Sequence, residues 1–321
     1  MSIEHKRNSK QGKIDRQVAA SFPDKKRGEF NYDQITEYIQ VAQRLSQEMQ
    51  VGQEEATWIP RLEYPNLPIL ILYMTDIHYG NVGTDYDLLD EHLRLVTDTP
   101  NCFCLIGGDT VDNFSAAKHP VAAIMGDAIS PQVQTQAMML KLLELDAMGK
   151  IGGICFGNHE DFLNMAGYDF YNTFMKEFHA PIFPTGGKLT VQVCKQTYEI
   201  GWSHMHWGRS KMNITNAAKR ALNYSTPGCD IILLGHDHQS AGEIFDQAGE
   251  RVIAIDGGTY KLNEPNGKKW GLGPAGQPGF TLILDSQEKN MNFFRDPQTA
   301  QQHLLAFIFK EEQERSQALQ R

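Results

Sequence analysis

The hydrophobic pattern of the first 66 residues contains one helical segment. Between positions 32 and 50, apolar residues recur three or four positions apart, at Ile35, Tyr38, Ile39, Ala42 and Leu45. This spacing predicts one amphipathic helix. Residues 1–30 are polar and charged without such a pattern, which predicts a mobile arm. Within residues 31–66 the helix is followed by an extended linker into the main domain, marked by Pro60, Pro65 and Pro68.

Residues 67–296 alternate strand and helix patterns and are predicted to form the main domain. Continuous apolar runs predict three buried strands, at Ile69–Thr75, Asn101–Ile106 and Ile151–Phe156. Helical patterns lie at Leu88–Thr97, Pro131–Met148, Phe162–Phe178 and Asn213–Asn223. Later strands are predicted at Leu189–Ser203, Asp230–Leu234, Ile244–Phe245, Val252–Ile255 and Phe280–Leu284. A βαβ opening followed by a strand-rich region predicts a layered α/β sandwich of mixed sheets.

Residues 297–321 are predicted to form a glutamine-rich C-terminal helix. Its apolar stripe consists of Leu304, Leu305, Ile308 and Phe309. Such a stripe is more often a face that docks onto the parent domain than a dimer seam, and both interpretations stand at this point. The neighbouring Phe307 keeps open a homo-oligomer formed through this helix.

Composition narrows the class of protein. The chain has 321 residues, of which 41% are hydrophobic, enough for one large buried core. The longest apolar run, Pro68–Met74, is much shorter than the roughly 18 residues of a membrane helix, and no secretory signal is visible. We therefore expect a cytoplasmic protein without a membrane partner. The five cysteines are scattered without zinc-site spacing, which predicts reduced thiols.

The charge is uneven along the chain. The net charge is -9, but residues 1–30 carry eight Lys/Arg and four Asp/Glu, a net of +4. The acidic remainder argues against a protein whose whole surface coats DNA. The basic arm either contacts phosphate or is a solvated tail, and the sequence leaves both open.

Polar clusters follow the predicted strands at the points where those strands end. The five clusters are Asp76-x-His78, Asp109-x-x-Asp112, Asn158-His159-Glu160, His204 and His236-x-His238. Residues two apart in an extended segment point to the same side, so each x-spaced pair can hold one cation. Because α/β proteins build their sites at the carboxyl ends of strands, we expect all five clusters at one edge. Burying so many carboxylates and imidazoles without a cation is costly, which predicts a metal centre.

In this order the clusters resemble the calcineurin-like metallophosphoesterase superfamily over about residues 67–285. The resemblance implies a four-layer α/β/β/α sandwich of two mixed β-sheets. It also implies hydrolysis of phosphate esters at two divalent metal ions. The segments 113–120 and 204–208 are similar to uncharacterised phosphoesterases of bacteriophages and prophages, which implies the cytoplasm of a bacterial host as the location.

The resemblance gives each cluster a role. The resemblance implies two divalent metal ions. The first would be bound by Asp76, His78 and His238, and the second by Asn158, His204 and His236. Asp109 would bridge the two ions. His159 would act as the general acid, and Asp112 would orient it. Mixed imidazole and oxygen ligands suit Mn²⁺, which we expect, or Fe, Zn, Ni or Co, better than Mg²⁺.

Several positions have competing interpretations. His204 and His206 both suit the fourth cluster. We favour His204, which directly follows the apolar run, and expect His206 to contact the substrate or to support the site. His119 and Asn113 are further candidates for substrate contacts, although histidines in such loops more often cap or pack. Asp237, between two histidines, is expected in a structural salt bridge.

The second motif also bears on the substrate. Ser/Thr protein phosphatases of this superfamily continue it with an arginine, whereas this chain has Asn113 and Phe114. The doubled Gly107-Gly108 before Asp109 is more similar to the nuclease and phosphodiesterase branches. We therefore expect a phosphodiester substrate, either DNA or a nucleotide. Two alternatives are a phosphomonoesterase, acting on a small molecule or a phosphoprotein, and a non-catalytic assembly protein with a structural metal.

Overall fold

The computed structural model describes residues 54–113, 128–160, 177–262 and 275–319, together with positions 40 and 126. The chain divides into two compact units, Met1–Glu54 and Glu55–Arg321, and the described elements belong almost entirely to the second. Several predicted features lie outside the described residues: the arm over 1–30, the helix over 32–50, most of the helix over 162–178, and His119.

Strands and helices alternate along the second unit. The strands are β1 (Glu54–Trp58), β2 (Ile69–Met74), β3 (Cys102–Ile106), β4 (Ile151–Cys155), β5 (Ile182–Phe183), β6 (Gly187–Val193), β7 (Gln196–Trp202), β8 (Ile231–Leu234), β9 (Ser240–Gln247), β10 (Glu250–Gly257), β11 (Thr281–Leu284) and β12 (Met291–Phe294). The helices are α1 (Tyr86–Asp98), α2 (Pro131–Ala147), α3 (Asn216–Tyr224) and α4 (Pro297–Leu319). None of the described helices is both long enough and apolar enough to cross a membrane.

The strands form two mixed six-stranded sheets. In the first sheet the order is β1-β6-β7-β8-β10-β9, and β7, β8 and β10 run parallel. In the second sheet the order is β12-β11-β2-β3-β4-β5, in which β2 to β5 run parallel and β11 is antiparallel to β2. The carboxyl ends of β2, β3 and β4 therefore meet at one edge, and those of β7 and β8 meet in the other sheet.

Each sheet packs against helices on its outer face and against the other sheet on its inner face. In β2, Ile71 and Tyr73 belong to the core between the sheets. Leu70 and Leu72 belong to the outer core that α1, α2 and α4 cover. Helix α3 covers the first sheet through residues such as Ala218. This arrangement confirms the predicted four-layer α/β/β/α sandwich. A strand buried on both faces also explains why β2 reads as a continuous apolar run.

The C-terminal helix α4 buries part of the stripe predicted from the sequence. Asp296 caps its first turn by accepting a hydrogen bond from the Thr299 N–H at 2.9 Å. Leu304 and Ile308 are buried in the outer core, whereas Phe309 is 62% exposed. Buried residues four positions apart make a narrow docking face, so the wider predicted stripe is divided between the domain and solvent.

Strand β1 lies in the segment that the sequence predicts as a linker. Trp58 packs edge-on against Phe103, with ring centroids 5.2 Å apart. Gly152 leaves room for this ring, because a Cβ there would lie 2.8 Å from it. The pairing of β1 with β6 is distant in sequence, and a five-residue strand next to prolines gives no periodic signal.

Histidine 92 couples stability to pH at a position away from the metal-ligand clusters. Its Nδ1 lies 2.7 Å from the Tyr260 hydroxyl, and burial lowers the pKa of His92 to about 4. The unfolded chain therefore takes up this proton first, and stability present above pH ~6.5 is lost as the pH falls towards 4. We expect this histidine to account for about 3 kcal/mol of the loss.

Urea unfolding at pH 7.5 and pH 4.5 tests this expectation. In His92→Gln, which keeps a hydrogen-bond acceptor but does not titrate, the fall in unfolding free energy between the two values should be smaller by about 2.5 kcal/mol. Comparing the change with pH, and not the absolute stability, separates titration from any packing defect. An equal fall in the two proteins would contradict the assignment.

Candidate metal centre

The five polar clusters lie at neighbouring strand ends. Asp76 follows β2, Asp109 follows β3 and His159 follows β4, and these three strands are parallel neighbours. His204 follows β7 and His236 follows β8, which are also parallel neighbours. The topology therefore delivers three clusters from one sheet and two from the other, at the strand ends where α/β proteins place their sites.

The backbone around these residues is unusual. A positive φ is found at five residues of the clusters: Asp76 (51°), His78 (50°), Asp109 (49°), His236 (75°) and His238 (54°). Side-chain-bearing residues rarely adopt this left-handed region, although Asp and His tolerate it better than most. Such conformations persist where the surrounding structure enforces them, and they cluster at functional sites.

The first group of ligand atoms comes from Asp76, His78 and His238, which can together hold one metal ion. The two Nε2 atoms of His78 and His238 lie 2.9 Å apart. Asp76 Oδ1 lies 3.4 Å from His238 Nε2 and 4.0 Å from His78 Nε2. Thr75 Oγ1 and the His236 N–H donate hydrogen bonds to the Asp76 carboxylate, which fixes its orientation.

The second group comes from Asp109, His204 and His236, which can also hold a metal ion. His204 Nε2 lies 3.0 Å from Asp109 Oδ2 and 3.2 Å from His236 Nδ1. The other ring nitrogen of His204 lies 2.9 Å from the carbonyl oxygen of Gly107. A carbonyl there sets the tautomer of His204 and leaves its Nε2 for a ligand.

Asn158 supplies an independent sign that these groups fit a cation. Its Oδ1 atom is buried and has no hydrogen-bond partner among the described residues. Buried polar atoms are almost always paired, so an orphan acceptor at a site of carboxylates and imidazoles points to a ligand. An amide oxygen is a suitable ligand for a divalent ion. The residues present therefore fit the metal ligation that the sequence predicts.

The charges of the second group depend on each other. Burial opposes the charged form of His204, but Asp109 and Asp76 raise the pKa of His204 to about 10. Burial alone would raise the pKa of Asp109, yet His204 and His159 hold it well below its usual range. The two carboxylates thus need a positive charge between them, which either a proton on His204 or a metal ion supplies.

Two other histidines are neutral at pH 7. Burial lowers the pKa of His78 to about 4. Burial, together with the nearby His204, lowers the pKa of His236 to about 3. Neutral imidazole is the form that binds metal, so these two side chains lose no proton on binding.

Histidine 159 lies between the two groups. Its Nε2 is 3.8 Å from Asp109 Oδ2, and its ring packs edge-on against His78 with centroids 4.6 Å apart. The carbonyl oxygen of Asp112 contacts His159 Nδ1. Asp112, predicted to orient His159, thus contacts it through the backbone carbonyl.

The Asp112 carboxylate instead supports His78. Its Oδ1 lies 2.9 Å from His78 Nδ1 and 3.1 Å from Lys261 Nζ, and its Oδ2 accepts a hydrogen bond from Asn81 Nδ2 at 2.6 Å. Burial alone would raise the pKa of Asp112, but His78 and Lys261 lower it. An ionised carboxylate behind a metal-binding histidine orients the ring and raises its basicity.

Glu160 and Lys261 were not assigned a role from the sequence. Glu160 accepts hydrogen bonds from the backbone N–H groups of Asp109, Thr110 and Gly157, so it ties the end of β3 to the end of β4. The position of Glu160 directly after Asn158 and His159 was the sequence feature that could have indicated a role at this site. Lys261 follows β10, 149 positions from its partner, and no local motif marks it.

The remaining sequence candidates lie at the margin of the two groups. His206 is held away from them, with Nε2 3.0 Å from Ser225 Oγ. Asn113 is buried and donates from its side-chain amide to the carbonyl oxygen of His159 at 3.3 Å. Asp237 pairs with Arg209 at 2.7 Å. Of the two competing histidines, the structure thus places His204 beside Asp109 and His206 outside the cluster.

Gly157 permits the close approach of β3 and β4. A Cβ at this position would lie 2.1 Å from Asp109 Oδ1 and 2.6 Å from the Asp109 nitrogen. Gly157→Ala should therefore displace the Asp109 carboxylate. Because disturbing the groups that orient a metal ligand typically costs about 10–100-fold in metal affinity, we expect a loss of this order in Mn²⁺ affinity, measured by calorimetric titration.

A matched substitution controls for general destabilisation in this experiment. Gly249 lies in the turn between β9 and β10, and a Cβ there would meet no atom within 4 Å. Gly249→Ala should lower stability through its positive φ of 89° but should bind Mn²⁺ like the wild type. Unchanged Mn²⁺ affinity in Gly157→Ala would show that the Asp109 carboxylate is not a ligand.

No protein-family model matches the chain, and no curated protein matches it. Similar solved structures include a predicted phosphoesterase from Streptococcus pneumoniae, at 14% identity, 71% of this chain, 90% of that chain and a TM-score of 0.35. A nuclease from Pseudomonas putida has 14% identity, 70% and 87% coverage, and a TM-score of 0.31. Vps29 from Entamoeba histolytica, complexed with Zn²⁺, has 13% identity, 70% and 90% coverage, and a TM-score of 0.31.

Proposed function

We propose that this chain is a dinuclear metal-dependent phosphoesterase that hydrolyses phosphodiesters. The observation that carries the proposal is the pair of largely buried ligand groups, Asp76-His78-His238 and Asp109-His204-His236, beside the unpaired Oδ1 of Asn158. Bound there, two divalent ions would supply Lewis-acid polarisation of the phosphoryl oxygens and an acidified water.

The donor set also favours certain metals. Four imidazoles with carboxylate and amide oxygens suit Mn²⁺, Fe, Zn, Ni or Co, whereas Mg²⁺ prefers oxygen ligands and retains its waters. We propose Mn²⁺ as the working ion. Asp109 belongs to two of the ligand groupings, one with His204 and one with His159, which suits a carboxylate shared between two ions.

The chain itself supplies the proton for the leaving group. A carbonyl oxygen only accepts hydrogen bonds, so the contact with the Asp112 carbonyl places a proton on His159 Nδ1. His159 Nε2 lies 3.8 Å from Asp109 Oδ2, so a proton held on this nitrogen would face the side of Asp109. From there His159 can protonate a leaving oxygen, a contribution of typically 10²–10⁴-fold.

The preference for diesters rests on what the second motif lacks. Asn113 occupies the position after Asp112, and its side chain is engaged with the His159 carbonyl. Position 113 therefore supplies no guanidinium group to bind the additional negative charge of a monoester. A phosphodiester has one ionised oxygen fewer and does not need this guanidinium group. DNA or a nucleotide is the proposed source of this group.

A metal-stripped, Mn²⁺-reconstituted protein tests this function. We expect metal-dependent hydrolysis of bis(p-nitrophenyl) phosphate that exceeds hydrolysis of p-nitrophenyl phosphate in kcat/KM. Faster turnover of the mono-ester would assign the chain as a phosphomonoesterase instead. Two bound metal ions without turnover of either ester would support a structural metal site and overturn the proposal.

A further inference from the structure

Trp207, three positions after His204, forms an exposed aromatic pair with Tyr224. Trp207 is 57% exposed and Tyr224, at the end of α3, is 70% exposed. Their ring centroids are 5.5 Å apart with an angle of 44° between the ring planes. We call Trp207 and Tyr224 the aromatic platform. Large aromatic side chains exposed together mark a surface that interacts with something else.

Neighbouring side chains hold the aromatic platform in position. The His206 ring stacks on Trp207 at a 27° angle, and His206 is itself anchored to Ser225 at 3.0 Å. The Arg220 guanidinium lies 4.6 Å from the centroid of the Trp207 ring. Gly208 makes this contact possible, because a Cβ there would lie 2.3 Å from Arg220 Cδ. The rings are therefore preorganised and not loosely attached.

The charge around the platform is opposite to that of the chain as a whole. Residues 207–224 contain four Lys/Arg and no Asp/Glu, in a chain of net charge -9. Arg209 pairs with Asp237 and Lys219 with Glu243. Arg220 and Lys211 have no acidic partner within the described residues, and the unpaired charge of Arg220 lies against the Trp207 ring.

The platform is also tied to the metal-binding residues. Trp207 lies three positions after His204, so their Cα atoms lie within about 11 Å. The ion pair of Arg209 with Asp237 joins the same segment to the residue between His236 and His238. A strand of nucleic acid covers that distance in about three nucleotides, at ~3.4 Å each.

We propose that the aromatic platform stacks on bases of a single-stranded nucleic acid whose backbone phosphate enters the metal centre. This inference rests on the proposed phosphodiesterase function. Every base has a π-face that stacks on tryptophan or tyrosine, and neighbouring cations accompany the backbone. Only an unpaired base can leave its own stack for a protein ring, so the platform selects single strands or frayed ends over intact duplex.

Strand binding by the Mn²⁺-loaded protein tests the inference. In a His159→Ala background, which binds without cutting, fluorescence anisotropy would follow a ten-nucleotide thymidine strand and an abasic strand of equal length. Trp207→Ala should bind the thymidine strand about 5- to 150-fold more weakly and the abasic strand equally well. Trp207→Phe, which keeps a ring, should retain most of the affinity.

A matched control uses another exposed aromatic residue. Phe309 on α4 is 62% exposed, and Phe309→Ala should leave both affinities unchanged. If Trp207→Ala bound the thymidine strand as tightly as the protein with Trp207, the platform would be overturned. The same holds if the substitution weakened binding of the abasic strand as much as binding of the thymidine strand. Unchanged strand affinity with a shift from dimer to monomer in sedimentation would assign this surface to a second copy of the chain and overturn the proposal.

The platform and the proposed function fail in distinguishable ways. Hydrolysis of the bis-ester by the protein with His159 intact tests the function without any base. Hydrolysis combined with unchanged strand affinity in Trp207→Ala leaves the function standing and overturns the platform. If strand binding depends on Trp207 but no ester is hydrolysed, the result supports the aromatic platform and contradicts the proposed phosphodiesterase function.

Discussion

Replacement of Asp109 by asparagine is expected to abolish metal-dependent hydrolysis. Asp109 Oδ2 lies 3.0 Å from His204 Nε2 and 3.8 Å from His159 Nε2, so its carboxylate touches both the second ligand group and the proposed acid. Loss of a partner that only orients a ligand already costs about 10–100-fold. A direct ligand should cost more, and we expect kcat/KM for the bis-ester to fall by more than about 100-fold.

The structure also provides a control for this substitution. Asp246 lies on β9 at an exposed position, and Asp246→Asn makes the same chemical change at a residue outside both ligand groups. It should retain wild-type activity and metal content. Mass spectrometry of bound manganese should detect fewer ions per chain in Asp109→Asn. Full activity in Asp109→Asn would show that the hydrolysis does not use this site.

The second large effect is expected at His159. Because its Nδ1 contacts the Asp112 carbonyl and its Nε2 faces Asp109, His159→Ala removes a proton donor while leaving both ligand groups intact. We expect kcat for the bis-ester to fall by about 10²–10⁴-fold with unchanged manganese content. His179→Ala, at an exposed ring paired with Asp146, is the control and should retain activity.

Leaving-group basicity distinguishes a lost acid from a lost ligand. A diester whose leaving group is a weak acid, such as an alkyl alcohol, depends more on protonation than one that releases p-nitrophenolate. The loss in His159→Ala should therefore be larger for the alkyl leaving group. Equal losses for both diesters, together with lower manganese content, would assign His159 to metal binding and not to proton transfer.

The placement of the site could be predicted because its information is local. Each cluster directly follows a short apolar strand, and the parallel pairing of β2 with β3 and of β3 with β4 aligns the carboxyl ends of those strands. Sequence spacing alone does not decide whether His204 or His206 belongs to the fourth cluster. What separates them is a contact distant in sequence, between His204 and Asp109.

Other features depend on tertiary contacts that no local pattern records. Lys261 pairs with Asp112 across 149 positions, and a single lysine after a strand resembles any surface lysine in sequence. The Asp112 carboxylate faces His78 because Asn81 and Lys261 hold it there. The exposed side of α4 and strand β1 likewise follow from which neighbours pack against them, and not from their own periodicity.

Anomalous diffraction from crystals grown with Mn²⁺ would show directly whether the clusters bind two metal ions. We expect two manganese peaks per chain, roughly 3.5–4 Å apart. One should be bonded to Asp76, His78 and His238, and the other to Asn158, His204 and His236, with Asp109 between them. No peak among these residues, or a single peak that leaves Asn158 and His204 unbonded at saturating Mn²⁺, would contradict a dinuclear centre.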